Sequence, residues 1–225
     1  MKPTKETSTF SKNSKFILAL HSSTDQLGVG LIHLSNDTES IQSYIFPLGR
    51  NLSSHLFKAI ETLLPSKFWS QIVRVAVATG PGGYTGTRIT IVFARTIGQQ
   101  LNCQVDGISS FELMVPRLIS SLNDYEIKKS FWITKLLKRH GLIGGKYKII
   151  NNNKSDNELK AEELISPLLI SSDYNLDKQL LATDDVSKDI VRLLEISLSF
   201  HKERKKSSWD EILPIYPTSP VQAKQ

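Results

Sequence analysis

The stretch "VAVATGPGGYTGTRITIVFARTIGQQ", residues 75–100, sets Gly80, Gly82, Gly83 and Gly86 between an apolar run and a segment of helical periodicity. Glycine-rich seams of this kind hold phosphate, because backbone N–H groups at a helix N-terminus attract anions. Two phosphate fingerprints can be tested by spacing. The P-loop needs glycines five apart followed by Lys and then Ser or Thr. Here Gly80 is followed five on by Thr85, Gly82 by Thr87 and Gly83 by Arg88. The dinucleotide fingerprint G-x-G-x-x-G fails by one place, because Gly80 and Gly82 would require a glycine where Thr85 stands. General anion attraction survives both failures. So does a steric reading, in which the glycines permit positive φ and close backbone approach. Ala94 and Gly98, four apart on one helical face, extend the steric reading along the helix. They allow close packing either against the segment 51–64 of this chain or against the helices of a partner, and spacing alone leaves both open.

Other chemistry is thinly represented. The histidines are His21, His33, His55, His140 and His201, and no two are four apart. H-E-x-x-H and G-x-S-x-G are absent. Ser22, Ser23 and Thr24 follow the first apolar run, where hydroxyls touch phosphate or, more commonly, hold a turn. The single cysteine, Cys103, excludes an intrachain disulfide, reads as a small buried apolar residue and fits a reducing, cytoplasmic compartment.

The elements that must position the loop follow from periodicity. "KFILAL", "GVGLIHL" and "IQSYIFPL" read as three strands joined by turns at Asp25, Asn36 and Asp37, hence as antiparallel neighbours. Leu52, Leu56, Ala59, Ile60 and Leu63 fall on one face of a helix that Pro65 stops. Residues 72–78 form a continuous apolar strand of the buried parallel kind. A helix over about 85–101, a strand from Cys103 to Ile108 and a helix near 110–122 follow. Ser109 and Glu112 are spaced as a capping box for the last of these, and Pro116 stands within it. The second half is less regular. It holds a hairpin of "SFWITKLL" and "GKYKII" around residues 140–145, a polar loop "NNNKSDNELK", short strands "PLLISS" and "QLLAT", and a long helix over about 184–205. Val186, Ile190, Leu193, Leu194, Ser197, Leu198 and His201 line the inner face of that helix.

Three organisational expectations result: a disordered tail over 1–14, a lobe over 15–108, and a reduced second lobe over 109–225 that includes the long helix. The chain has 225 residues, 40% of them hydrophobic, which suffices for a sizeable core. No apolar run approaches the ~18 residues that a membrane span needs. The net charge is +6, concentrated in residues 126–148, where seven cations including Lys135, Lys138 and Arg139 face one acid, Glu126. Such a cluster is a solvated strand face or lies near polyanionic RNA. A second cluster, Lys202 to Lys206, suits a helix C-terminus.

Three meandering strands followed by two alternating helix–strand units predict an α/β fold. Its sheet is mixed, and its element order resembles the ribonuclease H-like core of actin and the sugar kinases. "GPGGYTGTRI" after an apolar strand, with "ILALHSSTDQLGVGLI" near the start, further resembles the TsaB family of transfer RNA threonylcarbamoyladenosine biosynthesis. The motif places are Gly80, Pro81, Gly82, Gly83, Tyr84, Thr85, Gly86, Arg88 and Ile89, and the resemblance covers residues 16–122. It implies an actin-like ATPase fold and a non-catalytic role, as a subunit that binds and activates the transferase TsaD. It also implies that a TsaE-type ATPase joins the complex, and that transfer RNA is met only through it. No cofactor is implied in this chain, any ATP or ADP lying at the complex interface. The interface helices would be about 51–64 and 85–101, with Leu56, Ile60, Arg88, Ala94 and Gly98 as contacts. Pairing of the chain with itself stays open. The alternative is an actin-like-fold ATPase or transferase acting alone. Against it, nucleotide-using members of the fold place an Asp where this chain has His21, and an imidazole lacks the carboxylate oxygen magnesium prefers.

Overall fold

The computed structural model describes residues 10–11, 13–35, 39–138, 140–151, 159–171 and 174–218. Residues 1–9, the turn at Asn36 and Asp37, and Arg139 lie outside the described residues. The first sheet has the order β3-β2-β1-β4-β5, formed by β1 (Lys15–His21), β2 (Leu27–Leu34), β3 (Glu39–Phe46), β4 (Ile72–Ala78) and β5 (Gln104–Ile108). β1, β2 and β3 pair antiparallel, while β4 runs parallel to both β1 and β5. This is the mixed ribonuclease H-like sheet that the element order predicts.

Alternation along the central strands builds two cores at once. Phe16, Leu18 and Leu20 of β1, with Val75 and Val77 of β4, face a layer made by α1 (Leu52–Leu63) and α2 (Tyr84–Leu101). Ile17, Ala19, Ala76 and Ala78 face the other way, onto Ile190, Leu193 and Leu194 of α5 (Val186–Lys202). Each of the larger side chains among them, Val, Leu, Ile or Phe, contributes about 1.5–3 kcal/mol on leaving water. The long helix therefore covers the first sheet and is not grouped with the second lobe as expected. Its register on β2 depends on Gly30, where an added Cβ would lie 2.7 Å from Leu194 Cδ1. The tail also ends earlier than expected, because Phe10 packs edge-on against Phe16 and Phe68 at ring-centroid distances of 4.9 and 5.3 Å.

A second sheet, β8-β7-β6-β9, follows α3 (Ser110–Leu118) and the single turn α4 (Asp124–Ile127). It comprises β6 (Phe131–Leu137), β7 (Gly141–Asn151), β8 (Lys160–Leu169) and β9 (Gln179–Leu181). β6 ends at Leu137 and β7 begins at Gly141, so the strands turn before most of the expected glycines. Gly141 takes φ +95° there, whereas Gly144 and Gly145 lie inside β7 under Ile170 and Pro167. β8 begins at Lys160, seven residues before the expected short strand at Pro167. It is an edge strand whose pairing with β7 slips near Pro167, as a residue without an N–H requires. Phe111, Met114 and Val115 of α3 join Phe131, Ile133, Ile143 and Tyr147 in a third core.

Ser109 caps α3 through Phe111 N–H at 3.2 Å, but the reciprocal capping box is formed by Asn123 and Glu126 at α4. Burial, with the charge of Glu163 adding to it, pushes the Glu112 carboxyl up to about 7. A raised folded-state pKa contributes stability that is present below about 4 and lost as pH rises towards 7. Glu112→Gln is therefore expected to match the parent in urea unfolding near pH 4. Near pH 8 it is expected to exceed the parent by about 1–3 kcal/mol.

Candidate functional site

The glycine loop leaves the C-terminal end of β4 and folds back on residues 22–23, which follow β1. Gly83 N–H donates to Ser23 O at 2.7 Å. A Cβ on Gly82 would lie 2.4 Å from Ser23 O, and one on Gly86 2.7 Å from Ser22 O. The hydroxyls read as turn or phosphate groups hold this junction internally. Ser22 Oγ meets Thr90 Oγ1 at 2.9 Å, and Ser23 Oγ meets Ser110 Oγ at 2.6 Å. The loop's glycines are thus required for the approach of two backbone segments of the same chain.

A cleft of about 570 Å³ lies beside the loop, lined by Pro81, Gly82, Tyr84, Lys135, His140 and Tyr216 among others. The lysine ammonium there is bound by both oxygens of Asp184 at 2.9 Å. His21 ends β1 but does not line this cleft. It is buried, and its Nε2 lies 3.7 Å from Asp189 Oδ2. Burial holds the imidazole down at about 4, so it is neutral at physiological pH. Burial pushes the Asp189 carboxyl up to about 7, against the nearby Arg117 guanidinium, whose Nη2 is 3.2 Å away. Asp189 was not expected at the core, although its place among the inner-face residues of α5 was readable from helical spacing. Burial likewise raises the Cys103 thiol to about 11, which leaves it protonated and inert.

Among the described residues no group of three His, Cys, Asp or Glu is placed to hold a metal, and no helix is long and apolar enough to cross a membrane. The basic clusters are partly answered within the chain. Lys146 lies over the Trp132 ring at 5.7 Å, Lys148 pairs in register with Glu162, and Lys202 binds Glu39 at 3.0 Å.

The helix behind the loop corrects the expected contact set. Ala94 and Ile60 are fully buried, and Leu56 nearly so, all in the core beneath α1 and α2. A Cβ on Gly98 would lie 2.2 Å from Val105 Cγ2 of β5. These four residues pack against their own chain, the sheet below the helix being the neighbour they accommodate. Pro81 is also buried. Gly82, Gly83, Tyr84, Thr85 and Arg88 are exposed, and Gly86 partly so. Two residues absent from the expected set stand out on the outer face: Val92, 61% exposed on α2, and Phe57, 57% exposed on α1. Phe57 stacks on Trp69 at 5.9 Å and meets Phe93 edge-on at 5.4 Å. Both were legible as apolar residues lying off the buried stripe of their helix.

Residues 43–123 match the family model of TsaD, the tRNA N6-adenosine threonylcarbamoyltransferase. A curated relative, the tRNA threonylcarbamoyladenosine biosynthesis protein TsaB of Bacillus subtilis (strain 168), is 35% identical over 100 residues. The chain is similar to that TsaB. The aligned part is 44% of this chain and spans 42% of that TsaB, less than half its length. The stretch matching the TsaD model runs from β3 through α1, the glycine loop and α2 to the end of the turn after α3. Over the whole fold the chain resembles two solved Pseudomonas aeruginosa structures. One is an uncharacterized protein with similarity to peptidase YeaZ, with TM-score 0.62 and 16% identity, covering 91% of this chain and all of that one. The other is YeaZ, with TM-score 0.59 and 15% identity, covering 90% and 99%. At those identities the likeness is one of fold.

Proposed function

We propose that the chain is a non-catalytic subunit of transfer RNA threonylcarbamoyladenosine biosynthesis that binds and activates a TsaD-type threonylcarbamoyl transferase. The observation that carries this reading is the outer face of α1 and α2. Phe57 and Val92 are large apolar side chains left in water, inside the stretch that matches the transferase model. Large apolar side chains left exposed on helices packed over one sheet mark an association surface. The chain presents that face to the larger homologue and holds the homologue's site in its active arrangement. The chemistry, any bound ATP or ADP, and the contacts with a TsaE-type ATPase and with transfer RNA belong to the assembled complex. The buried, neutral His21 outside the cleft supports a scaffolding role, because it offers phosphate-bound magnesium no carboxylate.

Co-purification tests the reading. The chain is expected to pull down a TsaD homologue from its own cell extract. Val92→Asp combined with Phe57→Ser is expected to abolish capture while leaving the chain folded, at a cost of about 1–3 kcal/mol for the lost ring contacts of Phe57 with Trp69 and Phe93. Capture undiminished in the double variant would remove this face from the interface. Steady ATP hydrolysis by the isolated chain, lost in His21→Ala, would instead establish an enzyme acting alone.

A further inference from the structure

After α5 the chain returns across the first sheet, and it is held unevenly. Residues 205–212 are well fastened. Arg74 donates to Lys205 O, Ser207 N–H donates to Gln104 Oε1 at 2.6 Å, and Ser207 Oγ donates to Asp106 at 2.7 Å. Arg95 lies 5.7 Å over the Trp209 ring and donates to Ile212 O at 3.1 Å. Ile212 itself packs over β5, where a Cβ on Gly107 would lie 3.1 Å from its Cδ1. Beyond Ile212 the hold is thin. Pro214 and Pro217 have no N–H to give. Among the described residues, the one main-chain hydrogen bond made by 213–218 runs from Ile215 N–H to Thr79 O, at 2.8 Å. Leu213 and Tyr216 are exposed. Yet this thinly held end closes a cavity. Ile215, Tyr216, Pro217 and Thr218 form one wall of the cleft beside the glycine loop. The Tyr216 ring lies 5.0 Å from the Tyr84 ring, and the same two tyrosines line a separate groove of about 440 Å³ along α2. The ring pair is therefore a partition between cleft and groove. The loop supplies the seat for the crossing segment. Gly80 takes φ +95°, and a Cβ on it would lie 3.2 Å from Ile215 O.

We infer that residues 213–218 form a strap hinged at Ile212, whose opening lifts Tyr216 off Tyr84 and joins the cleft to the groove. Closed, the strap walls the cleft on this side. Open, it makes the cleft continuous with the groove and reachable along α2. Opening breaks one hydrogen bond and one ring pair and leaves the anchors from 205 to 212 in place, so no part of the sheet has to unfold. The inference goes beyond the partner reading above and concerns this chain alone, with or without a partner bound.

Two measurements on the full chain, read together, test it. Amide hydrogen exchange is followed residue by residue by nuclear magnetic resonance, with and without urea too dilute to unfold the protein. The Ile215 amide is expected to exchange at least about a hundredfold faster than the amides of β4. Its rate should not change with urea, because a local opening exposes little surface. In the second measurement Leu137 of β6, which lines the cleft, is replaced by cysteine in a Cys103→Ala background, and its reaction with a maleimide is timed. Tyr216→Leu keeps an apolar side chain and loses the ring pair. It is expected to speed Ile215 exchange and cleft labelling by one common factor, about three to ten. Tyr84→Leu removes the other ring and is expected to do the same, which keeps the test sound should either variant fold poorly. A chain end that merely frays would speed exchange and leave labelling unchanged. That result overturns the inference, as does any other in which the two rates respond differently or neither responds. Ile215 exchange as slow as that of β4 also overturns it.

Discussion

Asp106→Ala is expected to lower the unfolding free energy by about 3–5 kcal/mol, enough to leave much of the chain unfolded at physiological temperature. Arg74 of β4 and Asp106 of β5 are both buried and meet at 2.6 Å. Asp106 also accepts from Ser207 Oγ and from Ser197 Oγ, each at 2.7 Å, while Arg74 donates to Lys205 O. Removing the carboxylate strands a buried guanidinium and cuts three hydrogen bonds at once. Ser207→Ala removes one bond and is expected to cost only about 1 kcal/mol. The double replacement Arg74→Met/Asp106→Leu removes the stranded charge and is expected to recover most of the loss. Urea unfolding followed by circular dichroism measures all three. If Asp106→Ala and Ser207→Ala prove equal, the network is not the clamp described here. The consequence reaches the outer side of α2, because this cluster ties residues 205–207 to the sheet just before Trp209 and Tyr216, which line a groove along that helix.

Gly98→Leu is expected to destroy the fold, not to act selectively on complex formation. Even the Cβ of alanine would overlap Val105 Cγ2, and Trp209 Cβ would stand 3.3 Å away on the same side. Overpacking of a close-packed site costs about 1–3 kcal/mol and more when, as here, β5 and the segment around Trp209 must both shift. The expected result is a graded series in thermal unfolding, with wild type above Gly98→Ala and Gly98→Ala above Gly98→Leu. Val92→Asp alone should leave melting unchanged. A folded Gly98→Leu variant that had lost only its partner would place this helix face at the interface after all.

The two classes of position on α2 illustrate how much the residue order alone decided. Short apolar runs mark β1 to β5, the continuous ones being strands buried on both faces, and a period of 3.6 residues specifies α1, α2 and α5, because a half-buried helix repeats its apolar residues at the period of its own geometry. The loop motif with its resemblance was also plain from the order of residues, and so were the absence of the phosphate fingerprints and the lack of an Asp at position 21. Direction of burial was not. A small residue every fourth position signals close approach without naming the neighbour. Only the tertiary structure assigned Ala94 and Gly98 to β5 and the core, and left Val92 and Arg88 exposed and Arg95 half-buried. The second sheet was harder still, since its turn glycines and Pro167 carry local signals that packing by Ile170, Tyr147 and the edge pairing of β8 override. The covering of the first sheet by α5 depended on a contact between residues about 160 positions apart. Local chemistry writes the elements into the chain. Which faces meet is set by long-range burial, and that is why the residues left on the outer side of α2 became visible only after the core had claimed its own.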